Sequence, residues 1–104
     1  MVSDELRREM LCAWYCEYDL NKFLDLLEKD VELKKKFANM LVDTIRDEFL
    51  RSHLKDFVAS GFTGIKGLAY SFSLDRLEEY IDRLLNVTED EKGWYMDCEP
   101  CDFG

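Results

Sequence analysis

The sequence is poor in residues that break or bend a chain, with one proline and five glycines in 104 residues. So little turn chemistry argues against a many-stranded β design, which needs frequent reversals. It holds a single histidine, His53, and no cysteine or serine near it in sequence suggests a catalytic pair, so an enzyme is not expected. No apolar run approaches the ~20 residues that cross a bilayer, and the opening stretch from Met1 to Arg8 is charged at once, unlike the apolar core of a secretion signal. The expected location is the cytoplasm, with no membrane partner. Basic charge is scarce too: 14 Lys and Arg stand against 23 Asp and Glu, a net charge of −9. Such an exterior repels nucleic acid over most of its area and attracts basic partners within about a Debye length.

What is present points to a folded helical domain. Apolar residues make up 47% and charged residues 36% of the chain, a globular balance with enough material for one core. Ser3 is placed to cap a first helix over residues 4–18, with Asp4 and Glu5 at the positive end of its dipole. Within it Met10 to Cys16 is apolar on all sides, which suits interior packing or contact with another chain. Asp19 caps a short second helix carrying Leu20, Phe23, Leu24 and Leu27 on one face. From the cap Asp30, the stripe Leu33, Phe37, Leu41, Ile45, Phe49, Leu54 predicts one long central helix of about 30 residues, about 45 Å at 1.5 Å per residue. A helix that long outreaches a 100-residue globule and asks for cover by another element or a second subunit, so a homodimer is a candidate. Residues 60–73 read as the main loop, and Ser73 then caps a helix to about Asn86. The expectation is all-α: a small bundle of about four helices over residues 1–87, followed by an acidic aromatic tail over 88–104.

Four cysteines lie as two close pairs, Cys12 with Cys16 and Cys98 with Cys101, at opposite ends of the chain. This arrangement can tie the termini together. On a helix Cys12 and Cys16 project from one face, and the two-residue spacing of Cys98 and Cys101 is that of a zinc-presenting turn, so all four could close a tetrahedral structural zinc site. Disulfides between the pairs are a second reading, and would need an oxidising setting. Four unlinked thiols, with the N-terminal pair buried, is the plainest.

Gly64-Ile65-Lys66-Gly67 resembles, over about a dozen residues, the Gly-hydrophobic-Lys-Gly hairpin of helix-hairpin-helix DNA-binding motifs. The resemblance implies phosphate binding by Gly64, Lys66 and Gly67, with backbone N–H groups approaching the phosphate and the lysine adding charge. A plain interhelical turn with Phe62, Ile65 and Leu68 in the core is the alternative. Lys34, Lys35 and Lys36 form the one dense basic cluster and read as a solvated face.

Taken together, these features predict a non-catalytic acidic module that binds a basic protein partner. Its expected contact residues are Glu78, Glu79, Asp82, Glu89, Asp90, Glu91, Trp94 and Tyr95. Acids at helical spacing can imitate a phosphate ladder, so a sharper version is an inhibitor of a basic nucleic-acid-processing enzyme, of the anti-CRISPR or anti-restriction type. The alternatives are a small nucleic-acid binder using residues 64–67 and a homodimeric structural or regulatory protein.

Overall fold

The computed structural model describes residues 3–59 and 65–101, with the side chains of 55–59 excepted. Among the described residues the chain is all-helical: α1 (Asp4–Leu11), a π-helical turn (Cys12–Cys16), α2 (Leu20–Leu27), α3 (Val31–Val42), α4 (Glu48–Ala59), α5 (Ile65–Tyr70), α6 (Leu74–Leu85), α7 (Glu89–Met96) and a 3-10 turn (Glu99–Cys101). No helix among the described residues is long and apolar enough to cross a membrane.

The starts follow from side-chain caps. Ser3, Asp19, Asp30 and Ser73 each accept a hydrogen bond from a backbone N–H three residues on, at 3.0–3.3 Å. Thr88 caps α7 in the same way and Glu91 returns the bond to the Thr88 N–H, a reciprocal capping box. Helix α6 ends on Asn86 in the left-handed region (φ 52°), where the Val87 N–H reaches back to the Asp82 carbonyl at 2.9 Å.

The single long helix expected over 31–60 is two. Asp43 to Asp47 interrupt it: the Thr44 hydroxyl donates to the Leu41 carbonyl at 2.8 Å, closing α3. Asp47 then accepts from the Leu50 N–H at 3.0 Å, opening α4. Short polar side chains that bond the local backbone compete with helix continuation, and an apolar stripe running through the gap does not register that competition. The molecule measures 46 × 24 × 20 Å, and α4 packs chiefly on α3. The count of about four helices is likewise exceeded, since residues 65–70 within the expected loop form α5 and the expected tail carries α7.

The core runs through α1, α2, α3 and α6. Trp14, Phe23 and Phe37 meet edge to face with centroids 6.2 and 6.0 Å apart, and Met10, Leu11, Leu24, Leu27, Leu77 and Ile81 fill in around them. The all-round apolar stretch is explained by this packing, as Met10 through Tyr15 are all buried. Ile65 and Ala69 of α5 are fully buried as well, so residue 65 joins the core from the end of the glycine-bearing segment.

Candidate functional site

The two ends of the chain meet at the π-helical turn. There Cys12 is bonded to Cys101 and Cys16 to Cys98, with Cα atoms 5.6 and 5.2 Å apart. The wider turn is closed by the Glu17 N–H on the Cys12 carbonyl at 2.9 Å. Cys98 itself is left-handed (φ 62°), a reversal that ends α7. Sulfurs joined in this way offer no thiolate, so zinc ligation by these four residues belongs to a reduced chain.

Beside this stapled corner lies an apolar cleft of about 210 Å³, lined by Trp14, Tyr15, Tyr18, Leu20, Leu74, Asp75, Glu78 and Met96. Each wall has a local cause. Tyr18 follows the π-helical turn in the left-handed region (φ 54°), with the next N–H, that of Asp19, bonded to the Ala13 carbonyl at 2.9 Å. Leu74 and Asp75 sit in the first turn of α6, oriented by the Ser73 cap, and Met96 ends α7 two residues before the disulfide-bonded Cys98. Three apolar lining side chains stand open to solvent: Tyr18 at 78%, Leu74 at 65% and Met96 at 50%. A bulky residue held at positive φ is uncommon and costs conformational energy. Here that backbone carries a ring into solvent at the mouth of a cleft.

One edge of the cleft is electrostatically organised. The buried Tyr15 hydroxyl donates to Asp82, and the Lys92 ammonium lies 3.4 Å from Asp82, 3.5 Å from Glu78 and 5.9 Å from the centre of the Tyr15 ring. Burial, then the Asp82 hydrogen bond and the charges of Asp82, Glu78 and Glu89, push the Tyr15 phenol far above its usual range. Burial opposes the charge on Lys92, but the Asp82 and Glu78 carboxylates outweigh it and raise its pKa. Both shifts favour the protonated phenol of Tyr15 and the charged ammonium of Lys92.

This chain is similar to part of an enzyme. A glutamyl-tRNA reductase from Carboxydothermus hydrogenoformans is 30% identical over 78 residues, which are 72% of this chain and 17% of the reductase. The chain thus spans a small fraction of that protein's length. No described family pattern and no solved structure matches it.

The expected contact residues are divided by the fold. Glu78 and Asp82 meet at Lys92, and Glu79 pairs with Arg83 at 2.6 Å. Glu89 and Asp90 are exposed in the first turn of α7, and Trp94 is 57% exposed. Glu91 instead takes both terminal nitrogens of Arg7, at 2.8 and 3.1 Å, and Tyr95 is buried in the core. Lys66 ion-pairs with Asp25 at 2.5 Å, Gly67 is exposed on α5, and Gly64 lies outside the described residues. Lys34 is drawn onto Glu28 at 2.9 Å, while Lys35 and Lys36 line a shallow groove with Asp30 and Glu32. His53 is exposed on α4. Sequence reasoning missed Tyr18, Leu74, Asp75 and Met96 as one site. Leu74 fits the apolar face of its helix, and neither the positive φ at Tyr18 nor the approach of Met96 leaves a mark in residue spacing.

Proposed function

We propose that the chain is a non-catalytic interaction module that grips another protein through the cleft and the carboxylates around it. The observation that carries this reading is an open apolar cleft, walled by Tyr18, Leu74 and Met96, on a domain whose net charge is −9. Solvated apolar side chains grouped at a concavity mark contact surfaces more often than isolated ones do. In the sharper version Glu89 and Asp90, exposed in the first turn of α7, stand in for phosphates before a basic nucleic-acid-processing enzyme. The test is retention from cell lysate on the immobilised protein, eluted by rising salt, with the Glu89→Lys/Asp90→Lys double variant as control. Specific proteins held at low salt by the parent alone support both the reading and its sharper version; an empty eluate ends both.

Two observations favour other readings. The similar protein's name brings tRNA into view, and Lys35 and Lys36, with Lys66 once it is released from Asp25, are cations that a nucleic acid would meet. A gel shift with tRNA at low salt tests this, and unshifted RNA at high micromolar protein rejects it. Phe49 is 83% and Leu50 47% exposed on α4, apolar area that a second copy could cover. Native mass spectrometry of oxidised and reduced protein reports subunit number and any zinc held by the reduced cysteines together. Two disulfides persist in oxidising compartments or, inside cells, in hyperthermophiles, and a cytoplasmic location carries that condition.

A further inference from the structure

We infer that the occupant of the Tyr18–Leu74–Met96 cleft is a basic amphipathic segment of a partner protein, one apolar side chain entering the cleft while its Lys or Arg residues meet Asp75 and Glu78. This rests on the interaction reading above and names its partner chemistry. The volume of about 210 Å³ falls below the roughly 300–1,000 Å³ of cofactor and drug-sized sites. It fits an anchoring side chain. The charged lining residues are both acids, Asp75 and Glu78, and Asp75 has no cationic partner among the described residues. Glu78 shares Lys92 with Asp82 at 3.5 Å and retains part of its field. An apolar anchor flanked by positive charge is therefore the complement, and helix-in-groove recognition is the mode that delivers both from one short segment.

The left-handed Tyr18 supplies the decisive variant. Glycine adopts φ 54° without a Cβ penalty, so Tyr18→Gly keeps the backbone while deleting a wall of the cleft. Its melting temperature should equal or exceed that of the parent. Random 16-residue peptides displayed on phage are selected against the disulfide-intact protein, then synthesised and titrated by the fluorescence of Trp14 and Trp94. Enrichment of peptides that pair a Leu, Phe or Trp anchor with Lys or Arg one helical turn away is expected. Their affinity should fall at least about tenfold in Tyr18→Gly, the scale of losing one anchor contact, and severalfold in Asp75→Lys. Enriched peptides without basic residues, or binding unchanged in folded Tyr18→Gly, overturn the inference. So does a parent that sediments as a dimer while Tyr18→Gly is monomeric, because the occupant is then a second copy. Failure to enrich peptides while lysate proteins are still captured overturns this inference alone, whereas failure of both removes the interaction reading as well.

Discussion

One guanidinium joins the first helix to the last two. Arg7 donates from Nε to the Leu85 carbonyl at 2.9 Å and from Nη2 to the Asn86 carbonyl at 3.3 Å, while two terminal nitrogens grip Glu91. It thereby satisfies carbonyls at the end of α6, where the helix dipole favours a cation, and fixes the start of α7 through the capping box. A lysine cannot form that fork, so Arg7→Lys is expected to cost about 1–3 kcal/mol in urea unfolding. The hydrogen bonds from Arg7 hold the Glu91 carboxyl below its ordinary value of 4.5, against the effect of burial. A depressed native pKa stabilises the fold above that value. The contribution should be fully present at neutral pH and vanish as pH falls through the native pKa, a loss that Glu91→Gln should abolish in acid titrations. The opposite limb belongs to Tyr15. Its native phenol stays protonated past the ordinary value of 10.0, so stability should fall as pH rises above about 10, and Tyr15→Phe should flatten that decline.

Among the elements, α4 stands apart. It packs chiefly on its sequence neighbour α3, and Phe49 in its first turn lies 83% exposed. Over residues 48–54 no side chain is fully buried, and a segment of that kind opens at low free energy. Backbone amides of residues 50–54 should exchange with solvent faster than those of α2 and α6, as read by hydrogen–deuterium exchange. Equal protection would overturn this reading of α4. Asp47→Ala removes the cap that separates α4 from α3 and should cost about 1 kcal/mol, confined to that helix. The break is also where sequence reading went astray: helical spacing continues from Leu41 through Ile45 to Phe49, yet Ile45 is half-buried and Phe49 reaches solvent. Caps at Ser3, Asp19, Asp30 and Ser73 were legible because each precedes an apolar periodic run; that of Asp47 was hidden because the run never stops.

At the scale of the molecule the disulfides act as a pair. Each bridges residues 89 or 82 apart in sequence, and closing so long a loop is worth roughly 4–5 kcal/mol in the chain-entropy model. Once either bond exists, the other closes only the small ring through residues 12–16 and 98–101, worth roughly 2.5 kcal/mol on the same relation. Removing one bridge, as Cys16→Ser/Cys98→Ser or Cys12→Ser/Cys101→Ser, should therefore cost roughly 2.5 kcal/mol. Removing both should cost roughly 7 kcal/mol, more than the sum of the two single losses. Chemical denaturation of the three variants measures this, and simple additivity would show that the bridges do not share one loop.

Composition and periodicity alone determined an acidic, all-helical chain with most of its caps and an apolar segment at residues 10–16 that had to be covered, because these properties are local and repeat at helical spacing. The tertiary structure alone decided which cysteines pair, that Glu91 and Tyr95 serve the fold, and that Tyr18, Leu74 and Met96 share a cleft. Those outcomes depend on where distant segments meet, and a contact between residues 18, 74 and 96 is set by the packing of three helices rather than by the identity of neighbours along the chain.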